Sequence, residues 1–254
     1  MPYREADPRE PAPTTTVVWW VELDGRCPAP VSLSRILSGD ELERGAGYRF
    51  ARDRDRFVVA RAVLRMILGE CLGVDPAEVP LSHGPFGKPE VPLGADGSRL
   101  FFSVAHSGGL AFFAVSRAAE VGIDVERVRP AVFESAWAPM WLSCEERMLL
   151  EQVADPWWRQ QAMFDLWTRK EAFLKGLGCG HRLPLHTVRV PFGSAGAAHV
   201  AGAGGGGLDL GGWSVSSLNL GPGLSGALAS CGGETRVVLR QFMVREGGVE
   251  PPRV

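Results

Sequence analysis

A chain of 254 residues, 45% hydrophobic and 22% charged, is long enough for one large core or two small ones and has an ordinary globular composition. Its net charge of −2 excludes the global basic field of a nucleic-acid binder, while local basic patches stay open. Five scattered cysteines (Cys27, Cys71, Cys144, Cys179, Cys231) show neither metal-ligand spacing nor a disulfide framework, so they read as reduced thiols of a cytoplasmic protein.

The opening MPYREADPREPAP lacks the apolar core of a signal peptide, no apolar run is long enough to span a bilayer, and the histidines form no HxxxH or HxH cluster. Residues 1–15 predict a disordered N-terminus and residues 246–254 a disordered tail. Between them the order of elements divides into an α+β half over 16–118 and a second α+β half over 119–245. In the first, Thr16–Leu23 predicts a strand and Asp53–Leu72 a long helix stopped by Gly73. Leu100–Ala105 and Ala111–Ser116 predict a hairpin around Ser107-Gly108-Gly109. In the second, Val121–Glu126 predicts a strand, Ser143–Ala154 a helical stretch and Trp157–Leu177 a long helix ended by Gly178. Strands follow at Thr187–Val190, Gly212–Leu218, Gly226–Ser230 and Arg236–Phe242, and the Gly/Ala-rich run 193–207 predicts a flexible loop. Phe57, Arg61 and Arg65 of the first long helix overlay Trp167, Glu171 and Lys175 of the second, and Phe102-Ser103-Val104 overlays Trp213-Ser214-Val215. The expectation is an α+β fold made by pseudo-twofold duplication, with the site in the cleft between the halves.

Two segments carry the chemistry. In Val121-Gly122-Ile123-Asp124-Val125-Glu126, the alternation of a strand puts Asp124 and Glu126 on one face. Alone, that pattern reads as a solvent-facing strand or as salt bridges to Arg127 and Arg129. In Trp167-Thr168-Arg169-Lys170-Glu171-Ala172-Phe173-Leu174-Lys175, helical spacing puts Trp167, Glu171 and Lys175 in one stripe. If strand and helix pack together, Asp124, Glu126 and Glu171 meet an ammonium, and such a set of hard oxygen donors suits Mg²⁺ acting on a phosphate compound. Lys88 in Gly87-Lys88-Pro89 and His106 beside the hairpin tip are candidate anion contacts. Arg44, Arg49, Arg52, Arg54, Arg56, Arg61 and Arg65 form the most basic stretch, offset by Asp53 and Asp55. One or two of them suit a bidentate grip on phosphate.

On these residues the chain resembles the 4'-phosphopantetheinyl transferases of the surfactin-synthetase-activating (Sfp) type, over about residues 17–242. The resemblance is specific at Gly87-Lys88-Pro89, at Gly122–Glu126 and at Trp167–Lys175 with Gly178 and Gly180 behind it. It implies transfer of the phosphopantetheine arm of coenzyme A to a serine of an apo acyl or peptidyl carrier protein of polyketide, nonribosomal-peptide or fatty-acid biosynthesis, releasing adenosine 3',5'-bisphosphate. It also implies Mg²⁺ on Asp124, Glu126 and Glu171, with Lys175 at the α-phosphate or leaving group and Glu171 as candidate base. Lys88 and His106 would contact the phosphates, and Arg44, Arg52 and Arg61 compete for the 3'-phosphate. The implied protein is a monomer with neither nucleic-acid nor membrane partner. The carrier is expected to dock on Phe133–Leu142 through Phe133, Trp137, Met140 and Trp141. Two departures stand out: Ala105 replaces a serine of some relatives, and Glu41 stands where some have a lysine. The alternative is a protein of the same fold that binds coenzyme A without turnover.

Overall fold

The computed structural model describes residues 14–24, 30–129, 138–193, 198–199, 212–233 and 235–243. The elements run β1 (Thr14–Glu22), α1 (Pro30–Leu33), α2 (Gly39–Ala46), α3 (Ala51–Leu72), β2 (Ser82–His83), β3 (Pro89–Glu90), β4 (Phe101–Ser107) and β5 (Leu110–Ser116). They continue β6 (Val121–Arg127), α4 (Ala138–Trp141), α5 (Cys144–Glu151), α6 (Pro156–Leu177), β7 (Ala198–His199), β8 (Trp213–Ser217), β9 (Leu224–Cys231) and β10 (Thr235–Gln241). The fold is α+β. One sheet has the order β10-β1-β5-β4 and another β6-β9-β8-β7. The subsets β1-β5-β4 and β6-β9-β8 share one order and are antiparallel throughout. The last strand, β10, returns to the first sheet and pairs in parallel with β1.

The helices form where local chemistry favours them. α2 starts on a capping box in which Ser38 and Glu41 satisfy each other's backbone N–H groups, and α5 repeats the device with Ser143 and Glu146. α6 starts on Asp155, whose carboxylate accepts from Trp157 and Trp158 N–H, followed by Pro156 in the first turn. α3 and α6 stop at Gly73 (φ 69°) and Gly178 (φ 65°), left-handed positions that favour glycine.

α3 buries Val58, Val59, Ala62, Val63, Met66 and Ile67, a stripe at helical spacing, against Trp19, Phe102 and Phe113 of the first sheet. α6 buries Leu166, Phe173 and Leu174 against Trp213, Val215 and Ala229 of the second. The opposite sheet faces meet each other: Val18, Ala105, Phe112 and Ala114 pack with Val121, Ile123, Val125 and Leu228. The layers are therefore α3, first sheet, second sheet, α6. Ala105 is spent on the inter-sheet core.

Some expectations are corrected. Thr187–Val190 is no strand: Pro184 opens a 3₁₀ turn at Leu185–Thr187, with Thr187 N–H and Oγ1 both donating to the Pro184 carbonyl. Within 193–207, Ala198–His199 forms a short strand paired with β8, and the rest of that run beyond Gly193 lies outside the described residues. In the expected docking segment, Trp141 and Leu142 are buried core, with Trp141 edge-on to Trp167, so they offer no surface. Met140 is exposed, and Phe133 and Trp137 lie outside the described residues. Both expected tails fall outside them too, save Thr14 and Thr15 in β1.

Candidate active site

β6 and α6 cross at two glycines. A Cβ on Gly122 would sit 2.0 Å from the Ala172 carbonyl oxygen, and one on Gly176 would meet the Trp213 ring at 2.4 Å. Only glycine allows so close an approach of helix backbone to strand backbone. The crossing sets Asp124, two residues along β6, beside Lys175 at the end of α6.

Lys175 Nζ donates to Asp124 Oδ1 at 2.7 Å and reaches the Val104 carbonyl of β4 at 3.5 Å. Asp124 is buried, and its Oδ2 has no hydrogen-bond partner among the described residues. Burial pushes the Asp124 carboxyl up from the usual carboxylate range, with the Lys175 charge opposing. Glu126 is half-buried and accepts from Ser107 Oγ at 2.9 Å; burial raises its pKa too, and the Ser107 bond opposes. Ser107 Oγ also accepts from Arg127 N–H, so the hydroxyl at the hairpin tip fastens β4 to β6.

Glu171 and Lys175 line a cavity of about 270 Å³ together with Lys88, Pro89 and Ser103. A second cavity, also about 270 Å³, is lined by Arg44, Tyr48, Phe57, Arg61, His83 and His106. Gly87, Pro89 and Val104 line both, which makes the two cavities neighbours along one cleft, the first walled by α6 and the second by α3. His106 lines this cleft with part of its surface exposed; loss of solvent around the ring, followed by the charges of Lys175 and Arg61, brings its pKa down to about 4. The imidazole is therefore neutral at pH 7.

The other expected contacts divide. Arg44 and Arg61 line the cleft, whereas Arg52 is exposed, pairs with Asp53 at 3.5 Å and lines neither cavity. Lys88 lines the first cavity, but its ammonium donates to the Gly176 carbonyl at 2.7 Å and to Val121 at 3.4 Å, fastening the end of α6 to β6. Burial lowers its pKa. Unforeseen from the sequence, Lys170 is fully buried and donates to Glu146, Trp141 O and Leu185 O, while Arg169 donates to Ser217 and Pro191 O. Half of the charge in the Trp167–Lys175 motif is thus scaffold.

Among the described residues no three His, Cys, Asp or Glu side chains are grouped as a ready-made metal site. The donors nevertheless fit a hard divalent cation: all are carboxylate oxygens, and Asp124 carries a buried oxygen without a partner beside a cationic group.

Sheets, helices and cleft define an α+β protein with a charged site where β6 and α6 cross. Residues 120–218 match the family described as the 4'-phosphopantetheinyl transferase superfamily. The chain is similar to the 4'-phosphopantetheinyl transferase HetI of Nostoc sp., 36% identical over 163 residues, covering 64% of this chain and 68% of that protein. It is similar to the 4'-phosphopantetheinyl transferase psf-1 of Bacillus pumilus, 33% identical over 162 residues (62% of this chain, 66% of the relative). It is similar also to the 4'-phosphopantetheinyl transferase Sfp of Bacillus subtilis, 26% identical over 155 residues (61% and 66%). The chain belongs to the 4'-phosphopantetheinyl transferase superfamily. Its match spans just under two thirds of the two Bacillus relatives.

Proposed function

We propose that this protein is a phosphopantetheinyl transferase of the Sfp type, moving the 4'-phosphopantetheine arm of coenzyme A to a serine of an apo acyl or peptidyl carrier protein. The observation that carries this reading is the meeting of Asp124 and Lys175 across the Gly122–Gly176 crossing, at the edge of a cleft also lined by Glu171.

In this reading the serine oxygen forms a bond to the β-phosphorus of coenzyme A, and the bond from that phosphorus to the α-phosphate oxygen breaks. Adenosine 3',5'-bisphosphate leaves, and Glu171, directly or through water, takes the serine proton. Lys175, one-third exposed, has one donor left for charge growing on the leaving α-phosphate. Asp124, Glu126 and Glu171 would hold Mg²⁺, which supplies charge neutralisation on the pyrophosphate when bound. Glu126 would have to turn from Ser107, and Asp124 Oδ2 is already unengaged. His106, neutral, would donate a hydrogen bond to a phosphate oxygen. The common strand order of the two sheets supports the pseudo-twofold reading with halves at 16–118 and 119–245, β10 being the strand that crosses back.

We take the protein as a cytoplasmic monomer with coenzyme A and the carrier as partners. No described helix is long and apolar enough to cross a membrane. A coenzyme A-binding protein without turnover is disfavoured, because the named relatives are transferases and the acid–ammonium set is intact. Incubation with coenzyme A, Mg²⁺ and an apo carrier tests the reading: the carrier gains the mass of the arm and the bisphosphate appears. Coenzyme A binding without either product would favour the non-catalytic alternative.

A further inference from the structure

Glu41 is buried at the start of α2, yet it faces three donors. Its Oε2 accepts from Arg65 Nε at 2.6 Å and from Ser38 N–H at 2.9 Å, and its Oε1 faces Arg61 Nε at 3.2 Å. Arg65 is buried as well and spends Nη1 on the carbonyls of Pro76, Ala77 and Val79, so it belongs to the scaffold. Arg61 differs. It lines the cleft cavity, and its guanidinium lies 5.8 Å from the Phe57 ring centroid, while that of Arg44 lies 5.7 Å from the same ring. Two guanidinium groups of the same charge are thus gathered on one aromatic ring at the cavity wall. Burial and the charges of Arg44 and Arg65 all work against the Arg61 charge, and Glu41 is the main group that favours it.

A long arginine side chain costs rotamer entropy to order. An ion pair with the carboxylate at Nε draws the guanidinium to one place and leaves both Nη groups for a ligand. Paired with Arg44, that arrangement suits a dianionic phosphomonoester, which a fork recognises through two parallel bonds.

We propose that Glu41 is a positioning residue that holds Arg61 ready for the 3'-phosphate of the nucleotide end of coenzyme A. The proposal rests on the transferase reading above and makes this acid, rather than a further cation, the element that prepares the phosphate contact.

The test is calorimetric binding of adenosine 3',5'-bisphosphate and of adenosine 5'-monophosphate to the full chain. In wild type the bisphosphate binds more tightly. Glu41→Gln raises its Kd about tenfold, the size expected for one charge-assisted hydrogen bond, and leaves the monophosphate unchanged. In an Arg61→Ala background, Glu41→Gln has no further effect on the difference between the two nucleotides. Should Glu41→Gln fail to fold, the pair Glu41→Leu with Arg65→Met, which replaces the buried ions by apolar groups of similar size, is read by the same criteria. Equal weakening of both nucleotides would make Glu41 merely structural and overturn the proposal. An unchanged bisphosphate Kd, or the same effect without Arg61, would overturn it too. Wild type that binds both nucleotides equally removes the 3'-phosphate contact, whereas wild type that binds neither defeats the coenzyme A reading itself.

Discussion

The middle and the end of α6 each carry a lysine on an acid, and the two pairs behave differently. Lys170 has no exposure and all three ammonium donors are used, on Glu146 (2.7 Å), Trp141 O (2.9 Å) and Leu185 O (2.9 Å). Lys175 is one-third exposed at the cleft and makes two bonds with its ammonium, while Glu146 and Asp124 each keep one buried oxygen without a partner among the described residues. The saturated Lys170 ammonium fixes α4, α5 and the 185–187 turn to α6. An unsaturated ammonium at a cavity edge has capacity left for a ligand. The partner count of the ammonium and its access to the cavity, not charge or burial alone, separate scaffold from site.

The comparison breaks most visibly at Lys170. Lys170→Met leaves Glu146 buried without its cation and is expected to cost about 3–5 kcal/mol in denaturant unfolding. Transfer per folded molecule stays at the wild-type level. Equal loss of specific activity in the folded fraction would erase the distinction.

Lys175→Ala gives the reverse pattern. kcat falls about 100-fold, the usual loss for one donor aimed at developing charge, with KM for coenzyme A little changed. A raised KM at constant kcat would make Lys175 a ground-state contact.

Gly122→Ala acts on the geometry that both lysines share. Its Cβ would lie 2.0 Å from the Ala172 carbonyl oxygen, so α6 must shift. Thermal unfolding should show a loss of about 2 kcal/mol, as for overpacking, together with reduced transfer. Undisturbed stability and rate would mean that the close crossing does not position Lys175.

The smallest effect is the pH response of His106. Its folded-state pKa, about 4, lies below its ordinary 6.5, so the unfolded chain binds the proton first as pH falls. This residue's contribution to stability is present above pH 6.5 and is lost on acidification toward pH 4. Asp124, raised in the fold, works in the opposite sense: its protonated form favours the folded state, and stability falls as pH rises above its ordinary 3.8. His106→Gln should therefore melt with a flatter acid limb than wild type over pH 6.5 to 4. Parallel melting curves would mean that His106 is as well solvated in the fold as in the unfolded chain.

Much of this was readable from local pattern. Alternation placed Asp124 and Glu126 on one strand face, helical spacing placed Glu171 beside Lys175, and Gly73 and Gly178 marked the helix ends. What stayed hidden depends on partners distant in the chain. Nothing local tells Arg61, paired with Glu41 and facing the cleft, from Arg52, which is solvated. Nor does Gly87-Lys88-Pro89 reveal that the ammonium of Lys88 closes on the Gly176 carbonyl. The return of β10 to β1 is equally silent, because an edge strand carries the same alternation whichever sheet it joins.

In the proposed reaction the acid–ammonium pair at the α6–β6 crossing serves phosphopantetheine transfer. Mass spectrometry of an apo carrier protein incubated with coenzyme A, Mg²⁺ and either wild type or Asp124→Ala tests it most directly. Wild type should add one phosphopantetheine arm and release adenosine 3',5'-bisphosphate, while Asp124→Ala, folded as judged by its melting curve, should add none. A carrier left unmodified by wild type, or modified at the wild-type rate by folded Asp124→Ala, would contradict it.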